Sequence, residues 1–185
     1  MRTKAEQMYI TPAFVTSEDI KQVRKKLKMT QKAFAEFVGV SKPTVARWEE
    51  SSEKITGAIT LLVTVLMLHP EFKDDLVLPK RNTPIRMKYY HKNMLCTVID
   101  VDEINQRIYI KNYTDNLLFR AFGRNTKPTF ADYEEFLESR CFPRERDKMK
   151  LMLKEFDLPF YDPFMIVEKT QGRMSEDDFR IEIER

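Results

Sequence analysis

Cysteine is scarce in this chain, which has only Cys96 and Cys141 among its 185 residues. Two thiols are too few for a disulfide framework or for a structural zinc site built from thiolates. We expect both side chains to be small buried hydrophobic groups in a protein of the reducing cytoplasm.

Long apolar runs are also missing. The first residues, MRTKAEQMYITPAF, lack the apolar segment of a secretory signal peptide. The one strongly apolar stretch, residues 58–68, is too short to span a bilayer. The sequence therefore predicts a cytoplasmic protein that does not enter a membrane.

The residues that are present exclude a disordered chain, because 42% of them are hydrophobic and 33% are charged. This length accommodates one large or two small globular domains. The net charge of +3 is unevenly distributed, since residues 21–47 carry 8 basic and 1 acidic side chains. Such a cluster is typical of a surface that binds phosphates, although a solvated helix face gives the same pattern.

The segment TQKAFAEFVGVSKPTVARWE contains two short helical patterns separated by a glycine. Thr30 is a suitable N-cap for the first helix, and Gly39 can adopt the left-handed conformation that ends a helix without steric cost. Ser41 caps the second helix, and Pro43 is tolerated in its first turn because an amide there has no partner within the helix. Two helices joined by so tight a turn predict a helix-turn-helix.

The second helix of this pair, residues 42–50, has two distinct sets of side chains. Val45 and Trp48 lie three residues apart on one face, which is predicted to be buried. Lys42, Thr44 and Arg47 lie elsewhere on the helix. Their hydrogen-bond donors suit a helix that enters the major groove of DNA.

The next segment, KITGAITLLVTVLMLHPEF, predicts a helix that is capped by Thr56 and ends near His69, before Pro70. Between residues 58 and 68 only Thr60 and Thr64 are polar, so this helix is apolar almost all round. A helix of that kind is buried on more than one face. We expect it to close a small core and to form a homodimer contact, because a small bundle cannot cover every side by itself.

A linker is predicted at residues 79–84, between an all-α helix-turn-helix bundle at residues 1–78 and a small α+β domain at residues 85–185. The segments IRMKYYHKNMLCTVIDVD and RIYIKNYT alternate and predict an antiparallel hairpin with DEINQ as its turn. Two helical patterns follow, the second of which is predicted to begin at Pro143. Phe179, Ile181 and Ile183 alternate as a final strand. The fold class is therefore α+β.

A series of residues in the helix-turn-helix segment occurs in a family-specific order: Thr30-Gln31, Phe34-Ala35, Gly39-Val40-Ser41, Thr44-Val45 and Arg47-Trp48-Glu49. With this series, residues 17–70 resemble the Cro/cI-type (XRE) helix-turn-helix family. The resemblance implies a transcriptional regulator that binds a double-stranded DNA operator as a homodimer. It also implies that Gln31 holds a DNA phosphate and that Lys42, Thr44 and Arg47 face the major groove. Pro43 has no donor to offer, so Lys42 and Arg47 are expected to read bases, with guanine as the natural partner.

The segment TGAITLLVTVLMLHPEF resembles the last helix of the MqsA and HigA antitoxins. MqsA-type proteins carry a zinc domain before this module, but this sequence has no cysteine there, so we expect no metal and no cofactor. The order of elements in residues 85–185 is similar to the N-terminal subdomain of HipA-type kinases, with Phe142-Pro143, Pro163-Phe164 and Gly172-Arg173 in comparable places. These resemblances imply an antitoxin that represses its own operon and binds a cognate toxin, such as a HipA-like kinase encoded beside it.

The second domain has features that bear on two other functions. An enzyme is disfavoured, because His69 and His91 have no nucleophile or metal partner nearby in sequence, and the acidic turns DVDE and SEDD lack the spacing of a calcium loop. A ligand-responsive repressor would need a small-molecule pocket in this domain. Its aromatic residues could line one, although such residues more often form a core. They are Tyr89, Tyr90, Phe119, Phe122, Phe160, Tyr161 and Phe164.

A basic run in the second domain alternates with acidic residues, which suits an exposed helix or a partner-binding face better than a second DNA site. It consists of Arg144, Arg146, Lys148 and Lys150.

Overall fold

The computed structural model describes residues 9–144 and 149–185. The chain divides into two compact units, Met1–Val77 and Leu78–Arg185. In agreement with the predicted fold class, a helical N-terminal unit is followed by an α+β unit.

The described part of the N-terminal unit contains five helices: α1 (Ser17–Lys26), α2 (Gln31–Val38), α3 (Lys42–Glu50), α4 (Ala58–Leu68) and α5 (Phe72–Leu76). Helix α1 packs on α3 and α4, and α2 packs on α3. A short antiparallel bridge joins Val15 to Ile55. Ile20, Val23 and Phe34 lie at the centre of the core and are fully buried.

The predicted caps around the tight turn are confirmed. The side chain of Thr30 accepts a hydrogen bond from the amide of Ala33, and that of Ser41 accepts one from the amide of Thr44. Gly39 has a left-handed φ of +73° and ends α2 as a C-cap. Because a residue with a side chain rarely adopts this conformation, glycine here makes the short connection between α2 and α3 possible.

The structure differs from the sequence analysis of the N-terminal unit at two places. Thr56 does not cap α4, since Gly57 occupies the N-cap position with a φ of +97° and α4 has no side-chain cap. Residues 72–76, for which no helix was predicted, form α5. This helix is tied to the bundle because the Nζ atom of Lys73 donates to the carbonyl oxygen of Leu27, 3.0 Å away.

The described part of the C-terminal unit contains four strands and three helices: β1 (Ile85–His91), β2 (Met94–Asp102), β3 (Arg107–Asn112), α6 (Phe130–Ser139), α7 (Met149–Glu155), α8 (Pro163–Thr170) and β4 (Phe179–Glu184). The strands form one antiparallel sheet in the order β3-β2-β1-β4. The last strand of the chain therefore pairs with the first strand of the unit.

The predicted hairpin is confirmed for β2 and β3, but its first segment forms two strands rather than one. The chain turns between β1 and β2 at Lys92 and Asn93, where Lys92 has a φ of +53°. No glycine marks this turn in the sequence. The amide of Lys92 donates to the carbonyl oxygen of Asp178, 2.9 Å away, which helps to hold the turn against the loop before β4.

The core of the C-terminal unit lies between one face of the sheet and the helices. Met87, Ile99 and Ile181 come from the strands, and Tyr133 and Ile166 come from α6 and α8. Most of the aromatic residues that could line a small-molecule pocket belong to this core or pack against it, namely Tyr89, Phe119, Phe122, Tyr161 and Phe164. Phe160 is exposed.

Both cysteines are buried, as predicted. Burial raises the pKa of the Cys141 thiol to about 12 and also raises the pKa of Cys96. Neither thiol is therefore an activated nucleophile.

The prediction that Pro143 starts a helix was wrong, because Pro143 lies outside any helix and the described part of α7 starts at Met149. Two residues of the basic run, Arg146 and Lys148, lie outside the described residues. Arg144 lies 2.7 Å from Glu138 and also contacts the ring of Tyr161. Arg144 therefore contacts other residues of the same unit.

Candidate nucleic-acid interface

Helix α3 presents the three side chains that were predicted to face a DNA groove. Lys42 and Arg47 are exposed, and neither side chain makes a hydrogen bond or salt bridge with the rest of the described chain. Thr44 is half-buried, and its hydroxyl lies 2.8 Å from that of Ser41. Lys42 and Arg47 are thus available to a ligand, whereas the Thr44 hydroxyl is shared with the helix cap.

The opposite side of α3 holds the helix in the core. Val45 is fully buried and Trp48 packs against the same core, as predicted. This anchoring fixes the helix axis and therefore the direction in which Lys42 and Arg47 project.

A charged network that the sequence reasoning missed lies under α3. Arg24 donates from Nε and Nη2 to the two carboxylate oxygens of Glu49, at 2.5 and 3.0 Å. The Nη1 atom of Arg24 donates to the carbonyl oxygen of Met29, 3.0 Å away. The side chain of Glu49 is only 5% exposed, and the hydrogen bonds from Arg24 hold its pKa below the ordinary value. Arg24 therefore joins α1 to α3 and does not contribute a free charge to the surface.

Gln31 is part of the same network. Its Nε2 atom donates to Oε2 of Glu49, 2.9 Å away. An amide nitrogen carries two hydrogens, so one remains for a second acceptor such as a phosphate oxygen. The bond to Glu49 fixes the side chain at the N-terminus of α2, where an anion is also favoured by the helix dipole.

The basic residues around these helices divide into two groups. Arg24 pairs with Glu49, and Lys26 donates to the carbonyl oxygen of Met67, 2.6 Å away. Lys25 and Lys28 are exposed, and their side chains have no hydrogen bond or salt bridge with other described residues. Together with Lys42 and Arg47 they leave unneutralised positive charge on this unit, which favours a polyanion as its ligand.

This geometry defines a DNA-binding helix-turn-helix domain: two helices joined at a glycine, a second helix with exposed donors, and a concentration of basic residues within residues 21–47. Residues 20–61 match the family model described as Helix-turn-helix, of the XRE type, which covers less than a quarter of the chain. The match supports a DNA-binding transcriptional regulator. No curated protein matches the chain. None of the described helices has the length and apolar character needed to cross a membrane.

Replacing Arg47 by alanine is expected to weaken DNA binding by about 1–3 kcal/mol and to relax the preference at one base position. The reason is that a bidentate arginine contact discriminates one base pair, whereas a phosphate contact carries no sequence information. The measurement is fluorescence anisotropy of a labelled DNA duplex that contains the sequence bound by the protein, and of duplexes that differ from it at single base pairs.

The matched control for this experiment is Arg124→Ala, which removes an exposed arginine from the other unit. It should leave both affinity and preference unchanged. An equal loss for Arg47→Ala on every DNA sequence would assign Arg47 to a phosphate instead of a base.

Proposed function

We propose that the protein is an antitoxin that represses its own operon. In this proposal a homodimer binds the operator through residues 1–78, residues 79–84 are the linker, and residues 85–185 bind a cognate toxin. The DNA-binding function is supported above all by one observation: Lys42 and Arg47 project from α3, and the Arg24–Glu49 pair joins this helix to α1.

The arrangement of α2 and α3 supports the following mode of DNA binding in this proposal. Lys42, Thr44 and Arg47 enter the major groove of each half-site, and the half-site centres lie about one helical turn apart. Gln31 and the exposed lysines contact phosphates and supply much of the affinity. Because each phosphate contact releases condensed counterions, binding falls steeply as the salt concentration rises.

The homodimer is supported by exposed apolar side chains along α4 and α5. Leu61 and Leu68 are 53% and 57% exposed and lie seven residues apart, which places them on one face of α4. Phe72 and Leu76 on α5 are 42% and 64% exposed. A series of large apolar side chains in contact with water is typical of a protein interface. A symmetric dimer would cover it and would present two copies of α3 to the operator.

Toxin binding by the second domain is proposed from the resemblance, seen in the sequence, between its order of elements and the N-terminal subdomain of HipA-type kinases. The sheet also has an edge strand, β3, whose outer backbone groups have no strand partner among the described residues, whereas at the other edge the amide of Ile181 on β4 donates to the carbonyl oxygen of Gln171, 2.7 Å away. Such edges can accept a strand from another protein. A HipA-like kinase encoded beside this gene is the proposed partner.

Two experiments test the proposal on the full-length chain. Footprinting on the promoter of its own operon should give two protected half-sites. Co-expression with the product of the adjacent reading frame should yield a stable complex, and it should relieve any growth arrest that this product causes alone. If the promoter is protected but no complex forms and growth arrest is not relieved, the protein is a repressor and the antitoxin proposal is rejected.

A ligand-responsive repressor is the second candidate. It is favoured by a cavity of about 520 Å³ beside α6 and α8, which falls in the size range of small-molecule sites. In this case a small molecule, rather than the product of the adjacent gene, would release the protein from its operator.

A further inference from the structure

The sheet of the C-terminal unit has one edge that no described strand occupies. Strand β3 pairs with β2 on one side, and no described strand lies on its other side. At the opposite edge, the end of α8 contacts β4, because the amide of Ile181 donates to the carbonyl oxygen of Gln171, 2.7 Å away. Strand β3 is therefore the edge at which a strand from another molecule could be added.

The backbone groups of β3 that point away from β2 follow from the pairing of the two strands. The amide of Tyr113 donates to the carbonyl oxygen of Cys96, 2.8 Å away, and this pair continues the register of β2 and β3. Hydrogen-bonded and non-hydrogen-bonded pairs alternate along an antiparallel ladder. The backbone groups of Tyr109 therefore point towards β2, whereas those of Ile108 and Ile110 point outwards.

The side chains of β3 divide between the two faces of the sheet. Ile108 and Ile110 pack against the core. Arg107, Tyr109 and Lys111 alternate with them and lie on the other face, which we call the open face. Arg107 is exposed, and Tyr109 is 58% exposed. A cavity of about 640 Å³ is lined by these three residues, so the described residues leave space beside them on the open face.

The open face at β3 carries an excess of positive charge. Strand β3 itself, RIYIKN, contains no carboxylate. In the neighbouring strand, Asp100 is bound by Arg86 through two hydrogen bonds of 2.6 and 2.7 Å. Asp102 lies opposite Arg107 and offsets part of its charge, but Lys80 adds another cation to the lining of the cavity. An added strand with acidic side chains on this face is therefore favoured.

A second copy of the chain is a poor partner for this edge. Pairing of two β3 strands would bring two arginines and two lysines together, and neither strand would supply a carboxylate. Charged side chains on an edge strand commonly prevent such self-association. The same charges leave the edge available to a strand of opposite charge.

We propose that β3 binds an extended acidic segment of a protein partner, which adds a fifth strand to the sheet. The segment places carboxylates opposite Arg107 and Lys111 and a large aromatic side chain opposite Tyr109. Opposed residues of neighbouring strands point to the same face and lie about 5 Å apart, so the two carboxylates are at positions i and i+4 of the segment. Apolar residues at the intervening positions cover Ile108 and Ile110.

In the complex proposed above, the toxin supplies this segment, so the identity of the partner rests on the proposed function. The chemistry of the segment does not, because it follows from the edge and the charges of β3. The test therefore uses synthetic peptides and does not depend on whether the adjacent gene encodes a toxin.

The test is an NMR titration of the full-length chain with three blocked peptides. The first contains Glu-Val-Tyr-Val-Glu between Ser-Gly flanks, and the second has lysine in place of both glutamates. The third contains Val-Glu-Tyr-Glu-Val, which has the same composition as the first but directs its carboxylates to the core face. The first peptide should bind saturably and about tenfold or more tightly than the other two, because only it forms two opposite-charge pairs on the open face.

Hydrogen exchange shows whether the bound peptide adds a strand. The amides of Ile108 and Ile110 point outwards, so they should exchange rapidly in the free chain and about tenfold or more slowly with the first peptide bound. The amide of Tyr109 points towards β2 and should exchange slowly in both states. Protection of Ile108 and Ile110 that appears without peptide and rises with protein concentration would assign the edge to a second copy and overturn the proposal.

A charge reversal on β3 tests the role of the cations. Arg107→Glu should weaken binding of the first peptide about fivefold and strengthen binding of the lysine peptide, because it reverses one cross-strand charge pair. Opposite changes in the two affinities cannot result from misfolding. Arg124→Glu reverses an exposed arginine of the same unit outside β3, and this matched control should leave both affinities unchanged.

The outcomes separate this proposal from the antitoxin proposal. Absence of saturable binding of the first peptide overturns the strand addition, as does equal binding of the third peptide or binding that leaves Ile108 and Ile110 unprotected. If the first peptide fails but the adjacent gene product forms a complex with the chain, that product binds another surface and the antitoxin proposal stands. If the first peptide binds as expected but no such complex forms, the edge accepts a strand from a different protein.

Discussion

Replacing Glu49 by alanine is expected to lower the free energy of unfolding of the N-terminal unit by about 3–5 kcal/mol. The substitution leaves Arg24 without its two-point partner, and the side chain of Arg24 is only 17% exposed. An uncompensated charge in that position is costly because the guanidinium loses the carboxylate and is not fully returned to water. The same change frees Gln31, so DNA affinity should fall as well.

The unfolding of this unit can be followed by the fluorescence of Trp48, because Trp48 is the only tryptophan of the chain and packs against the N-terminal core. Its fluorescence during urea unfolding therefore reports on this unit. Glu50→Ala is the matched control, since Glu50 is the exposed neighbour on the same helix and should change stability by no more than about 0.5 kcal/mol. Equal effects of the two substitutions would show that the Arg24–Glu49 pair does not stabilise the fold.

The pair also gives the unit a defined dependence on pH. Hydrogen bonds from Arg24 hold the pKa of Glu49 below its ordinary value of 4.5. A carboxyl group with a lowered pKa in the folded state contributes stability that is fully present above its unfolded pKa. That contribution is lost as the pH falls through the folded-state pKa. Glu49→Gln should therefore be less sensitive to acid below about pH 4.5 than the parent chain, although it is less stable at neutral pH.

The helix-turn-helix was predictable from local chemistry. A helix that begins at a threonine or serine and ends at a glycine carries its own boundary signals, and so Thr30, Gly39 and Ser41 gave the correct ends of α2 and the correct start of α3. The exposed positions of Lys42 and Arg47 followed from the period of the same helix.

The network beneath α3 was not predictable in the same way. Glu49 lies 25 residues from Arg24, and helical periodicity alone does not place a glutamate in a core. Arg24 was therefore counted among the residues of a basic surface. A count of basic residues in a sequence segment overestimates the positive charge on its surface whenever one of those residues forms an ion pair inside the fold.

The sheet shows a different limit. An alternating pattern predicts a strand but does not reveal a turn that lacks glycine and proline, and so the division at Lys92 and Asn93 was missed. The pairing of β4 with β1 joins residues that are far apart in the chain, and alternation carries no information about partners. The cavity beside α6 and α8 is likewise assembled from three separate segments.

Arg140 joins several of these separate segments in the C-terminal unit. Its Nε and Nη2 atoms donate to the carbonyl oxygen of Gly172, at 2.9 and 2.7 Å. Its Nη1 and Nη2 atoms donate to the carboxylate of Asp177, at 2.7 and 2.9 Å. The guanidinium also lies over the ring of Phe179, 5.7 Å from its centroid. One side chain at the end of α6 thus fixes the loop that leads into β4.

Gly172 explains why the arginine reaches a carbonyl oxygen at this point. Its φ is +58°, and a Cβ atom there would lie 3.0 Å from Cδ1 of Ile181 and 3.4 Å from Cβ of Arg140. The absence of a side chain therefore lets the loop backbone approach both α6 and β4 closely.

Replacing Arg140 by alanine is expected to destabilise the C-terminal unit by about 3–5 kcal/mol, since it breaks a buried charge-assisted network and leaves the Gly172 carbonyl oxygen unpaired. Arg140→Lys should recover only part of the loss, because an ammonium group cannot bind the Gly172 carbonyl oxygen and the Asp177 carboxylate in one plane as the guanidinium does.

The control is Arg173→Ala in the same loop, where the arginine is exposed and should contribute little. Far-UV circular dichroism during thermal unfolding should show a transition at lower temperature for Arg140→Ala, while Trp48 fluorescence stays unchanged because every partner of Arg140 lies in Leu78–Arg185. A loss for Arg140→Ala no greater than that for Arg173→Ala would mean that the loop before β4 is held by its apolar contacts alone.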